Sequence, residues 1–243
     1  MLKINKSSPV PIYYQISSYF AEEIKNGNVL PEEKLPSESE IGNALNISRM
    51  TARQAINELV KSGFAYRVKG KGTFVCKPRI ERQHQKLRGF FEDMKAKNLE
   101  PHAQVLEFSE ADPTVEVQRA LNISFEEKCF KMERIKFTNN EPIGIETMYI
   151  VKKYCPDLLN YYRGTGRLFE TLENKFHLEI DHAEEKVKAT KATKSQAKYL
   201  GLSACSLLLH INRVVYLKNG QPILFVNTLF NNDRYSYQTI LYR

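Results

Sequence analysis

The sequence predicts an α+β protein in two parts, a small helical part closed by a β-ribbon and a larger part built on a mainly antiparallel sheet. Three observations carry that prediction. Apolar residues recur at helical spacing up to about residue 62, and a two-strand pattern with a Lys-Gly-Lys-Gly tip follows. A charged stretch over 77–86 then shows no apolar period. Beyond it, six β-rich runs are interleaved with three short helical ones.

Ile12, Ile16, Phe20 and Ile24 stand four apart between Pro11 and Gly27, which predicts one helix with a single apolar stripe. Pro36 disfavours helix at Leu35, and Ser37 followed by Glu40 has the spacing of a capping box, so a second helix begins at Glu38. Ile41, Ala44 and Leu45 give it an apolar side. Asn46-Ile47-Ser48 interrupts it, and the Ser48 hydroxyl suits the cap of a third helix running from Arg49 to about Ser62, with Gly63 at its end.

On that third helix Ala52, Ala55, Ile56 and Leu59 share a face that will be buried, while Arg49, Arg53 and Asn57 follow one another along the flank. Arginines on a small-residue helix suit a DNA major groove, where each can donate two hydrogen bonds to guanine. The ribbon adds the second half: Phe64, Tyr66 and Val68 alternate as one half-buried strand, and Thr73, Phe74 and Val75 return after Lys69-Gly70-Lys71-Gly72. The glycines permit positive φ, and the lysines can neutralise phosphates or enter a narrow minor groove. Either piece alone fits ordinary solvated charge or a plain hairpin loop. In this order they describe a winged helix-turn-helix.

The net charge is +8 over 243 residues, and residues 1–79 hold 12 Lys and Arg against 7 Asp and Glu, a net +5. The excess base therefore sits with the helix-turn-helix, as counterion release from DNA requires, although a solvated basic face gives the same count. No apolar run is long enough to span a bilayer, and Met1–Lys6 lacks the apolar core of a signal peptide, so a soluble, cytoplasmic chain without membrane contact is expected. Cys76, Cys129, Cys155 and Cys205 form no C-x-x-C pair, and the five histidines have no metal-ligand spacing, so neither metal nor cofactor is expected.

Residues from about 10 to 76 resemble the DNA-binding domain of the GntR family of bacterial transcription regulators, through "LPSESEIGNALNISRMTARQAINELVKSGF" and "GKGTFV". The resemblance implies a double-stranded operator with an inverted repeat, contacted by Ser37, Ser48, Arg49, Thr51 and Arg53 and by the wing residues Lys69, Gly70, Lys71 and Gly72. Many members place a base-reading arginine where Ser39 stands, so no operator sequence is carried over.

In the larger part, Leu87, Phe90, Phe91 and Met94 mark a helix. Strands are then expected over 103–108, 128–138, 143–150, 178–189, 207–217 and 223–230, and helices over 115–121, 168–176 and 194–200. "ERIKFTNNEPIGIE" and "NRVVYLKNGQPILFV" echo each other, each placing an arginine, a polar turn, then proline and isoleucine. A pseudo-symmetric sheet with Arg134 and Arg213 in comparable places is expected. Arg134 and Lys136 lie two apart on one strand, so they share a face where they could hold a phosphate or carboxylate, and Glu146 on the partner strand could accept from a hydroxyl or amine. Exposed charges on a strand are the plain alternative.

From about Leu87 onward the chain resembles the UTRA effector-binding domain of the HutC subgroup of GntR regulators, carried by "LRGFFEDM", "RLFETLE", "INRVVYLKNGQPI" and "NNDRY" as well as the first hairpin. That resemblance implies a chorismate-lyase-like fold, a homodimer and a pocket for a small polar metabolite. The domains are then 1–76 for DNA binding, a linker over 77–86, and 87–243 for effector binding and dimerisation. Phosphosugar-binding relatives tend to have a hydroxyl residue where Phe91 stands, a serine at Arg167, an acid at Leu224 and a tyrosine at Phe230. Either the pocket is more apolar here or Arg167 takes over the anion.

The expected function is a transcriptional repressor whose operator binding a phosphosugar, sugar or carboxylate controls. Two alternatives stand beside it: constitutive DNA binding without an effector, and a lyase-like enzyme. Against the enzyme, the second part offers no metal cluster, no Ser-His-Asp order and no phosphate-cradling glycine loop.

Overall fold

The computed structural model describes residues 4–5, 7–77, 80–83 and 87–239, and the chain divides into two units between residues 78 and 79.

The first unit holds α1 (Ile12–Lys25), α2 (Glu38–Leu45), α3 (Arg49–Lys61), β1 (Ala65–Val68) and β2 (Gly72–Val75). The capping box is complete: the Ser37 hydroxyl accepts from the Glu40 amide at 3.2 Å, and the Glu40 carboxylate accepts from the Ser37 amide at 2.7 Å. Asn46 ends α2 in the left-handed conformation, and Ser48 opens α3 by accepting from the Thr51 amide at 3.1 Å. Ile16 of α1, Ile41 of α2 and Ala52, Ala55, Ile56 and Leu59 of α3 form one core with Ala65 and Val75. Ala44 stays exposed, outside the stripe expected of it.

The ribbon differs from the expected alternation. Ala65 is buried and Tyr66 is 39% exposed, so Tyr66 leaves the half-buried face expected of it, while Phe64 and Val68 stay partly buried. Tyr66 instead lies opposite Phe74 in the β1–β2 register, with ring centroids 5.9 Å apart.

The second unit begins with β3 (Ile80–Gln83), followed by α4 (Phe90–Lys95), β4 (Pro101–Ala111), α5 (Val115–Leu121), β5 (Cys129–Thr138) and β6 (Glu141–Val151). A 3-10 turn (Lys152–Tyr154), α6 (Leu158–Tyr161) and α7 (Leu168–Phe176) lead into β7 (Ile180–Lys191), α8 (Lys194–Leu200), β8 (Leu207–Leu217), β9 (Pro222–Asn231) and β10 (Tyr235–Gln238). The stretch expected to be linker therefore contributes a strand: Ile80 is buried, its amide donates to the Arg234 carbonyl at 2.7 Å, and β3 pairs parallel with β10. Residues 78–79 and 84–86 of that expected linker lie outside the described residues.

The six-stranded sheet runs β4-β5-β6-β9-β8-β7, every neighbouring pair antiparallel. That order is a two-fold echo: β4, α5, β5, β6 on one side repeat as β7, α8, β8, β9 on the other. The echo extends to the hairpins. Asn139 and Asn140, both at positive φ, close β5 to β6, and Gly220 at φ +80° serves β8 to β9. In each hairpin the register slips by one residue just after the proline, so that Ile143 and Ile223, both fully buried, are the extra residues of matching bulges. The first bulge decides what faces Arg134: with it Arg134 lies opposite Glu146, whereas the unshifted register would place Ile145 there.

One face of the sheet carries α6 and α7 over Phe130, Met132, Ile150 and Val215. The other is covered by α5 against Phe225 and by α8 against Ile145 and Leu229. Cys129 and Cys155 are buried in these layers, and burial pushes their thiols up to about 11 and about 12, so both are inert. Among the described residues no helix is long and apolar enough to cross a membrane.

Candidate DNA interface and ligand cleft

The first unit presents its cations away from its core. Because α3 spends Ala52, Ala55, Ile56 and Leu59 on packing, Arg49 and Arg53 are left on the exposed side with Asn57, the Arg49 side chain being 77% exposed. Thr51 is half-buried, its hydroxyl 2.8 Å from that of Ser48. Lys69, Gly70 and Lys71 form an exposed tip, where Gly70 at φ +76° and Gly72 at φ +126° take conformations that side chains rarely adopt. Ser37 and Ser48 accept backbone N–H groups as helix caps, so what each can still offer a phosphate is its hydroxyl proton, which Ser48 can also share with Thr51, together with nearby backbone amides.

Glu38, in the first turn of α2, joins the two halves of this surface. One carboxylate oxygen lies 3.2 Å from Nη2 of Arg67 on the wing strand, the other 3.7 Å from Nε of Arg49 on α3.

In the second unit the sheet face beneath α4 and α7 opens into a cleft of about 700 Å³, its open mouth included. Arg134 and Lys136 reach it from β5, Glu146 from β6 and Thr228 from β9, directly opposite Glu146. These groups are nearly inaccessible to solvent and bind one another. Arg134 donates to Glu146 Oε1 from Nε at 2.8 Å, and from Nη1 to the Tyr162 hydroxyl at 2.9 Å and the Gly164 carbonyl at 2.6 Å. Glu146 Oε2 accepts from the Lys136 ammonium and, at 3.1 Å, from the Thr228 hydroxyl. Burial alone would raise the Glu146 carboxyl, but Lys136 and Arg134 outweigh it and hold the group down to about 2.

Aromatic rings frame the cations. The Arg134 guanidinium sits 5.7 Å from the Phe91 ring, and the Lys136 ammonium 4.9 Å from Phe90 and 5.4 Å from Phe230. Phe230 stacks on Tyr235 at 3.7 Å, and Gly144 makes room for it: a Cβ there would lie 2.8 Å from the Phe230 ring.

All seven residues expected to bind an effector, Phe91, Arg134, Lys136, Glu146, Arg167, Leu224 and Phe230, line this one cleft. Two of them are engaged within the protein. Glu146 serves two cations and a threonine rather than standing ready for a hydroxyl, and Arg167 sits at the half-exposed rim, paired with Glu170 at 3.0 Å. Sequence reasoning left out Arg213, whose Nε lies 2.6 Å from Glu185, although the hairpin echo pointed to it. Tyr162 and Gly164 carried no local signal.

Comparison with known proteins agrees with this division. Residues 12–75 match the model of the bacterial regulatory proteins of the gntR family, and residues 96–236 match the UTRA domain. The chain is 35% identical over 236 residues, 97% of each sequence, to the HTH-type transcriptional repressor NagR of Bacillus subtilis. It is 25% identical, over 96% of this chain and 97% of the other, to the mannosyl-D-glycerate transport/metabolism system repressor MngR of Escherichia coli. Among solved structures PhnF from Mycobacterium smegmatis shares the fold with a TM-score of 0.68, covering 93% of this chain and 99% of that one at 20% identity.

Proposed function

This chain belongs to the GntR family of bacterial regulatory proteins, in its UTRA-bearing HutC subgroup, and from that premise we propose that a small anionic metabolite in the cleft controls how a homodimer holds an inverted-repeat operator. The chain is a DNA-binding transcriptional regulator and not an enzyme. Arg49 and Arg53 read base edges, Thr51, Ser37 and Ser48 support phosphate contacts, and Lys69 to Gly72 place the wing against the adjoining groove. Two copies set two recognition helices one helical turn apart, as a palindromic site demands. The work is done in the cytoplasm, where the DNA is.

The observation that carries the reading is the exposed Arg49/Arg53 flank of α3, opposite a fully packed face. The cleft supplies control: a ligand with different affinity for the two DNA-binding states shifts their populations by that difference and no more. MngR is named as a repressor of a mannosyl-D-glycerate transport and metabolism system, and a small polar metabolite is the corresponding reading here. Fluorescence anisotropy on fragments of the chain's own upstream region tests it. The expected result is a protected inverted repeat, an affinity that falls steeply with salt, and loss of specific binding in Arg53→Ala. Equal affinity for every fragment would overturn it.

A further inference from the structure

We infer that the cleft takes an amphipathic anion, a carboxylate or phosphate monoester carried on an aromatic or branched apolar body, in preference to a polyhydroxylated sugar phosphate. The inference rests on reading the cleft as the effector site and narrows what enters it.

The carboxylates that could accept from sugar hydroxyls are partly engaged within the protein. A sugar ring needs acceptors and donors for each hydroxyl it buries, and three carboxylates line the cleft. Glu146 accepts from Arg134, Lys136 and Thr228. Glu92 accepts from the Gly89 amide at 3.2 Å as the cap of α4, and Asp93 holds Lys97 at 2.6 Å. Among the described residues lining the cleft there is no Asn, Gln, Ser or His. The Thr228 hydroxyl already donates to Glu146.

What the cleft offers instead is an apolar floor beneath a positive charge. Met148 of β6 and Leu224 and Val226 of β9 form the floor, with Leu168 and Phe169 of α7 on one wall and Phe91 of α4 on another. A hydroxylated ring laid on that floor would lose water against side chains that offer it no hydrogen bond, whereas an apolar body gains by the transfer. Arg134 and Lys136 together outnumber Glu146 by one positive charge in a region shielded from water, which favours an anionic head at that end. Arg213 places a second guanidinium on the echoing strand, but its acid stands on the outer strand β7, so the two halves of the cleft are not interchangeable.

Isothermal titration and thermal-shift measurements on the full chain, using phenyl phosphate, 3-phenylpropionate, glucose 6-phosphate and inorganic phosphate, test the inference. Phenyl phosphate or 3-phenylpropionate should bind at least about tenfold tighter than glucose 6-phosphate and inorganic phosphate, and which of the two leads identifies the head group. Leu224→Glu should narrow or reverse that order by restoring an acceptor to the floor, with Leu224→Asn as the uncharged counterpart should the acid prevent folding. Tighter binding of glucose 6-phosphate to the unaltered chain would overturn the inference and leave the effector-site reading standing. Silence from all four would count against both.

Discussion

Arg134 and Glu146 stand directly opposite each other on paired strands, and the guanidinium gives Nε and Nη2 to the same carboxylate oxygen at 2.8 and 2.6 Å. With Lys136 on the second oxygen, the carboxylate is wholly enclosed by its own protein. A group so placed acts first as a fixed support for the cations around it.

Acid should dismantle this support in a defined window. Glu146 is held down to about 2, below the ordinary carboxylate range, so it adds stability that is present above its unfolded-state value and is lost as pH falls towards the folded one. The loss runs from about pH 4.5 to about pH 2 and amounts to roughly 3 kcal/mol from this one group. Urea unfolding between pH 7 and 3 should show a steeper decline for the unaltered chain than for Glu146→Gln. Parallel curves would show that the carboxyl is not so depressed.

Removing the centre of the trio and removing one end should have opposite results. Glu146→Ala leaves two buried cations facing each other and should cost about 3–5 kcal/mol. Lys136→Met leaves a neutral Arg134–Glu146 pair beside Phe90 and Phe230, and stability should hold or rise. Melting temperatures of the two variants, with effector response lost in both, check the assignment.

How far the sequence reached depended on whether the signal was local. Helices 115–121, 168–176 and 194–200 and the strand 207–217 fall at their expected bounds, because each has its own apolar period and flanking turn residues. Arg134 and Lys136 were legible as cleft residues because two residues apart on a strand means one face. By contrast, β3 joins β10 from the far end of the chain, and only Ile80 is apolar in a run of charges, so periodicity had nothing to register. Tyr162 and Gly164 arrive on a loop whose path is set by packing on Val105 and Met132, and the occupancy of Glu146 follows from the bulge at Ile143, which no alternation pattern announces.

Gly144→Ala should disturb the cleft without touching a charge. The new methyl group would press on the Phe230 ring at 2.8 Å and on the Leu229 carbonyl at 3.2 Å. Relief requires Phe230 to move against Tyr235, at about 1–3 kcal/mol. Effector affinity should fall while operator affinity in the absence of effector is kept, as paired titrations would show.

Base reading and phosphate contact should separate by salt. Arg53→Ala removes a side chain aimed at base edges and should cost about 1–3 kcal/mol against the operator, with little change on unrelated DNA. Lys71→Ala, at the exposed wing tip, should weaken both and lower the slope of log K against log salt by about 1. Identical profiles for the two variants would contradict the division of labour.

Glu38 competes with DNA for two arginines. It is a partly exposed carboxylate between Arg49 and Arg67, so in the free protein it orients both, and on DNA its charge faces the phosphates unless the arginines screen it. Glu38→Gln removes that repulsion. Non-specific affinity should therefore rise and its salt dependence steepen, because two cations are released for phosphates. Operator affinity should rise less, since Arg49 loses the partner that fixes its direction, and the ratio of specific to non-specific binding should fall. Anisotropy titrations of operator and scrambled duplex at two salt concentrations decide it: an unchanged ratio would mean that Glu38 does no more than neutralise its neighbours.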